Sequence, residues 1–310
     1  MTVDLSVPLG PHRLPNPVIA ASGTFGHGTE LARLCPPDRL GAVTVKSLAA
    51  YPWPGNPPPR LHPAPGGGML NSVGLAGPGV AAWLAEDLPG LRAAGARVIA
   101  SIWGRTVAEF AEAAAALGPA CDELVAIEVN VSCPNLEDRS RMFAHAPAAT
   151  AAVTRAVLAT DPSAPVFVKL SPNTPDLVEV AGAALDAGAA GLTLVNTVLA
   201  AGIDPTTRRP VLGAGTGGLS GPPIRPIAVR AVLEVARAHP GVAIIGTGGV
   251  TCGRDAVELL LAGAVAVGVG TATFAEPRAM LRILAELERW CARHGVRAVR
   301  ELVGAAVTGS

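Results

Sequence analysis

Eight short apolar runs, rich in β-branched residues, recur along this 310-residue chain at 17–22, 41–47, 97–103, 124–132, 165–170, 191–196, 242–247 and 264–269. Most are nearly continuous in apolar character, as expected of strands buried on both faces of a parallel arrangement. Ala- and Leu-rich segments with helical spacing lie between them, at 107–117, 147–159, 176–187, 224–238, 254–262 and 277–294. Eight alternations of strand and helix predict an α/β fold of the (β/α)8 TIM-barrel type more naturally than an open sheet. Half the residues are hydrophobic but only 3% are aromatic, so Ala, Val, Leu and Gly must fill a closely packed interior. We expect one barrel domain over residues 1–310, with no linker and no low-complexity segment.

The connections are uneven. Long Gly- and Pro-rich stretches follow the second run (48–77), the fourth (133–146) and the sixth (197–223). All three follow strands, so they belong at the C-terminal face, where barrel enzymes carry their chemistry. Loops of this length are uncommon unless functional or disordered, so three on one face favour a lid over a closed pocket.

Polar residues cluster at the strand ends: Ala21-Ser22-Gly23-Thr24, Lys46-Ser47, Asn130 to Asn135, Lys169-Leu170-Ser171 and Asn196-Thr197. Of seven asparagines, Asn71, Asn130, Asn135 and Asn196 fall at strand ends or in the first long loop. Any one of them could be an ordinary turn residue. Converging from several strands, they suit a planar ligand with alternating carbonyl and N–H edges, such as a pyrimidine. Of 24 basic residues only Lys46 and Lys169 are lysines. A compact ammonium can sit beside a flat ligand where the wide guanidinium fork cannot.

Glycines gather at Gly217-Gly218-Leu219-Ser220-Gly221, Gly246-Thr247-Gly248-Gly249 and Gly268-Val269-Gly270-Thr271. Bare backbone N–H groups after strands seven and eight form the usual phosphate cradle of barrels. Five scattered cysteines (Cys35, Cys121, Cys133, Cys252, Cys291) show no C-x-x-C spacing, which fits free thiols in a reducing cytoplasm rather than a disulfide scaffold or a metal site. The formal net charge is zero, with no basic block for nucleic acid. Neither a signal peptide nor an apolar run long enough to span a membrane is expected.

Taken together, Asn130-Val131-Ser132-Cys133-Pro134-Asn135, Lys169-Leu170-Ser171-Pro172-Asn173, Gly217 to Gly221 and Gly246 to Gly249 resemble dihydroorotate dehydrogenases. So do Ala21 to Gly26, Pro54 to Arg60 and Asn71 to Leu75, and the match runs in order over nearly the whole chain. It is most similar to the class 1B catalytic subunit. The resemblance implies an FMN enzyme of pyrimidine (UMP) biosynthesis that oxidises (S)-dihydroorotate to orotate. It also implies a homodimer core, extended to a heterotetramer by a partner subunit that carries FAD and a [2Fe-2S] cluster and passes electrons to NAD.

The same resemblance assigns roles. Cys133 is the base for the C5 proton, and the C6 hydride goes to FMN. Lys46 lies between flavin and substrate, and Lys169 beside the flavin N1/O2 edge. Asn71, Asn130, Asn135, Asn196 and Thr197, with the backbone of Val73, Gly74 and Leu75, bind the orotate ring and carboxylate. Ala21, Ser22, Ser47, Ser101, Asn130 and Val195 line the flavin, and Gly221, Gly248, Gly249, Gly270 and Thr271 hold its phosphate.

The chain departs from the family pattern at Ser101-Ile102-Trp103-Gly104, where Asn is usual at the first position. The shorter Ser101 implies that one flavin-ring hydrogen bond is lost or bridged by water. The residues after Asn135 are more charged than the family pattern, and those after Thr197 lack its usual basic and Met residues. Two alternatives share the scaffold: an FMN-dependent dihydropyrimidine dehydrogenase acting on uracil-like rings, and a non-redox, phosphate-binding lyase or isomerase. In a third, non-catalytic alternative, the chain is a scaffold subunit and Cys133 is structural.

Overall fold

The computed structural model describes residues 2–132 and 142–308. The eight runs form a closed, all-parallel barrel. Its strands are β1 Val18–Ala20, β2 Ala42–Thr44, β3 Val98–Ile102, β4 Leu124–Asn130, β5 Val166–Lys169, β6 Gly191–Leu194, β7 Ala243–Thr247 and β8 Ala266–Val269. Neighbours in sequence are neighbours in space, and β8 closes on β1 through Val267↔Val18, Gly268↔Ile19 and Val269↔Ala20. Nearly every strand residue is buried, because helices cover the outer face and side chains fill the inside.

The helices fall where their periodicity predicts: Val107–Ala116, Pro147–Leu158, Leu177–Asp186, Arg225–Ala238, Gly253–Leu261 and Ala279–Arg293. Local chemistry fixes their ends. The Thr106 hydroxyl accepts from the Glu109 N–H at 3.2 Å and caps the first of them. In the last, Ala279, Met280, Ile283, Leu287 and Cys291 form one buried stripe against the barrel. A hairpin of Val7–Leu9 and His12–Leu14 lies near Pro165, at the N-terminal end of β5, with Leu9 and Leu14 fully buried. Among the described residues no helix is long and apolar enough to cross a membrane.

Two differences from the sequence expectation concern the mouth. Several ladder strands stop earlier than the apolar runs, although β7 and β8 reach the ends of theirs at Thr247 and Val269. Past β2 the Lys46 N–H donates to the Gly26 carbonyl at 3.0 Å, and just beyond the run the Leu48 N–H donates to the Ser101 carbonyl of β3 at 2.9 Å. The long stretches 48–77 and 197–223 are also not structureless. Together they build a four-stranded antiparallel sheet in the order Val198–Ala200, Gly217–Ser220, Gly68–Asn71, Leu61–Ala64. Glycine permits the close pairing at its centre. A Cβ at Gly217 would lie 2.3 Å from the Asn71 carbonyl oxygen, and one at Gly218 would lie 2.0 Å from Thr197 Oγ1. Of the third stretch, 133–146, residues 133–141 lie outside the described chain, and Phe143–His145 form a 3-10 turn.

Candidate active site

The strand tips and the antiparallel sheet enclose a cavity of about 520 Å³. Ala21, Ser22, Lys46, Ser47, Asn130, Lys169, Val195, Asn196 and Thr197 reach it from five strand ends. Asn71, Val73, Gly74 and Leu75 reach it from the long connection after β2, and Gly221, Gly248, Gly249, Gly270 and Thr271 also line it. Cys133 and Asn135 lie outside the described residues, although Ser132 and Met142, on either side of that segment, both line the cavity. Ser101, expected on the wall, is not there. It is fully buried behind Ser47, whose Oγ stands 2.9 Å from its own.

The glycine side has the shape of an anion cradle. Gly221, Gly248 and Gly249 have φ of 88°, 135° and 76°, conformations that favour glycine. A Cβ at Gly249 would lie 2.6 Å from Arg225 Cβ, and one at Gly248 would lie 2.7 Å from Ala228 Cβ. Both contacts are with the first turns of the helix Arg225–Ala238, so the turn after β7 is pressed against that helix start.

The opposite side is basic. The described lining holds Lys46, Arg105 and Lys169 and no carboxylate. Burial, with repulsion from Lys169 added, lowers the Lys46 ammonium from its usual value to about 8. Among the described residues the Lys46 ammonium has no hydrogen-bond or ion-pair partner. Lys169 faces the Glu128 carboxylate at 3.8 Å, and both side chains are nearly inaccessible.

The amide orientations follow from their contacts. Asn130 Oδ1 accepts from the Ser132 N–H at 3.2 Å and from Asn196 Nδ2 at 3.3 Å, so its Nδ2 is left to donate to Ser47 Oγ at 3.2 Å. Asn71 Nδ2 donates to the Gly218 carbonyl at 3.2 Å and ties two strands of the outer sheet together. Asn173 donates to the Thr197 carbonyl at 2.9 Å and accepts from the Leu199 N–H at 2.8 Å, which fixes the chain just after Asn196.

Two features escaped the sequence reading. Glu128 is one; a single acid inside the apolar run 124–132 was its signal. The other is an aromatic corner. Tyr51, Trp53 and Trp103 pack edge to face with centroids 6.0–6.5 Å apart, and the Arg105 guanidinium lies about 5 Å over two of the rings. Glu109 holds Arg105 at 2.8 Å and accepts from the Tyr51 hydroxyl at 2.7 Å. Burial first, then that carboxylate, pushes the Tyr51 phenol up to about 12.

Fold and site define an α/β-barrel whose mouth holds a pocket lined by glycine turns, lysines and asparagines. The dihydroorotate dehydrogenase family model matches residues 4–290. The chain is 44% identical to the catalytic subunit of dihydroorotate dehydrogenase B (NAD+) of Geobacter metallireducens, over 97% of this chain and 98% of the relative. It is 45% identical to the proteins of the same name from Geobacter sulfurreducens (97% and 98% coverage) and Pelobacter propionicus (98% and 99%). The chain belongs to the dihydroorotate dehydrogenase family.

Proposed function

We propose that this chain oxidises (S)-dihydroorotate to orotate with bound FMN and passes the electrons to NAD through a partner subunit carrying FAD and a [2Fe-2S] cluster. One observation carries the reading: a single cavity joins glycine turns after β7 and β8 to a basic wall, with no carboxylate among its described residues, edged with asparagine amides. That donor set fits FMN, which needs an anion cradle at its phosphate and positive charge beside its ring. When bound, FMN accepts the hydride from C6 of the substrate.

Gly221, Gly248, Gly249, Gly270 and Thr271 would hold the phosphate, and Ala21, Ser22, Ser47 and Val195 would flank the ring. Lys169 would steady negative charge on the flavin, a fixed electrostatic contribution that needs no reorganisation. Lys46 would sit between flavin and substrate. Asn71, Asn130, Asn135, Asn196 and Thr197, with the backbone at Val73, Gly74 and Leu75, would receive the orotate ring and carboxylate. Cys133 would take the C5 proton.

The test is a binding experiment on purified protein. We expect a flavin spectrum, tight orotate binding and negligible uracil binding. A colourless protein that cannot be reconstituted with FMN sinks the redox reading, and a preference for uracil sinks the substrate. Orotate affinity carries a pH signature as well. An anion favours the charged form of Lys46, whose ligand-free proton is lost near pH 8. Binding above that pH therefore takes up a proton, and affinity should fall by up to about tenfold per pH unit. Calorimetry in two buffers of different ionisation enthalpy reads the proton directly; a flat profile from pH 7 to 9.5 counts against Lys46 as an orotate contact.

The cradle has its own test. Gly249→Ala forces a side chain into a left-handed backbone and against Arg225, so we expect about 1–3 kcal/mol of destabilisation and a lower flavin-to-protein ratio. Thermal melting and absorbance check both; unchanged values would mean that the turn has room the close contacts deny.

A further inference from the structure

Beneath the cavity lies a buried polar chain with a definite direction. Glu128, on β4, is 2% exposed, and groups from three other strands meet its carboxylate. Ser101 Oγ, from β3, donates to Oε1 at 3.1 Å, and Thr193 Oγ1, from β6, donates to Oε2 at 3.0 Å. Lys169 Nζ, from β5, stands 3.8 Å from Oε1. The barrel register puts these groups there: Ser101 pairs with Glu128, Asn130 with Lys169, and Thr193 with Lys169.

A hydroxyl has one hydrogen. Ser101 gives its hydrogen to Glu128, so the 2.9 Å contact between Ser101 and Ser47 must have Ser47 donating. Ser47 in turn accepts from Asn130 Nδ2, and Asn130 Oδ1 accepts from Asn196 Nδ2. The hydrogen bonds therefore all run one way, from Asn196 through Asn130, Ser47 and Ser101 to Glu128. A carboxylate only accepts, so the chain cannot reverse while Glu128 is ionised.

We propose that Glu128 is a positioning residue of the site: as the terminal acceptor of the Asn196–Asn130–Ser47–Ser101 relay it fixes which amide edges face the ligand, and as the carboxylate beneath Lys169 it offsets the positive charge presented to the flavin. The proposal rests on the FMN and orotate reading above. Ser101 acts through Ser47 rather than on the ligand. Among the described residues it is the hydroxyl that accepts from Ser47 and donates to Glu128.

Three variants test the two halves, each with FMN content measured first. Glu128→Gln removes the negative charge at constant shape, so reduced FMN should gain on oxidised FMN by about tenfold in relative affinity, read as a raised midpoint potential. Ser101→Ala cuts the relay but keeps the charge, so orotate binding should weaken about fivefold with the potential held within twofold of wild type in the same affinity ratio. Ser101→Thr keeps the hydroxyl and should restore orotate affinity. A potential unmoved by E128Q overturns the charge role, and an orotate affinity unmoved by S101A overturns the relay. If E128Q does not accumulate as folded protein, the S101A and S101T pair still decides the relay. Wild-type protein that takes up no FMN overturns the underlying function, whereas flavin-loaded variants indistinguishable from wild type overturn this proposal alone.

Discussion

Replacement of Cys133 by alanine is expected to lower dihydroorotate oxidation by about 10²–10⁴-fold, the usual contribution of a positioned general base, with FMN still bound. The other thiols are poorly suited to the task. Burial pushes Cys35 up to about 11 and also raises Cys121 and Cys291, so each stays protonated and inert at neutral pH. Cys252 sits at a helix start, where the loop is organised by Asp255. Cys133 lies outside the described residues, but Ser132 immediately before it lines the cavity, and Asn130 two residues earlier on β4 is anchored in the relay. Rapid mixing of the flavin-loaded protein with dihydroorotate, followed by flavin bleaching, measures the step without the partner subunit. Cys133→Ser should be similarly slow near pH 7 and recover as the pH rises, because a hydroxyl holds its proton more tightly than a thiol. Bleaching of the alanine variant within tenfold of wild type would remove Cys133 from the base role.

Much of the barrel is legible in the sequence because its strands are buried on both faces. Runs such as 165–170 and 264–269 have no polar face to confuse the pattern, and all eight appear as strands, trimmed by a few residues at the ends. The outer sheet is illegible for a different reason. Its central pairing joins Gly68–Asn71 to Gly217–Ser220, nearly 150 residues apart, and the glycines that make the pairing possible look locally like loop residues. At the site, lysines and asparagines stand out by scarcity and position. Ser101 misleads because sequence gives its place at a strand end but not its depth. It lies one layer below Ser47, where its shortness lets a carboxylate, rather than a ligand, be its partner. Glu128 hides because a lone acid in an apolar strand is assigned to the strand, and its three partners come from three other strands.

Lys169→Met is expected to abolish stable FMN binding and to destabilise the protein at the same time, and the two effects can be separated. The flavin effect comes from losing a fixed positive charge on the cavity wall. The stability effect comes from Glu128, whose carboxylate is left buried with only the Ser101 and Thr193 hydroxyls as described donors. Removing one partner of a buried ion pair costs about 3–5 kcal/mol. The lower end applies here, because the 3.8 Å separation is long and the lysine also faces the cavity. Arginine should not rescue flavin binding, since the guanidinium is wider than the ammonium it replaces and the site is closed on the barrel side. The double variant Lys169→Met with Glu128→Gln decides between the two causes. With no charge left to strand, most of the lost stability should return in denaturant titration, while FMN remains unbound. If the double variant is as unstable as Lys169→Met alone, the lysine stabilises the barrel by packing rather than by pairing. If the double variant regains FMN, the ammonium is not the charge that holds the flavin.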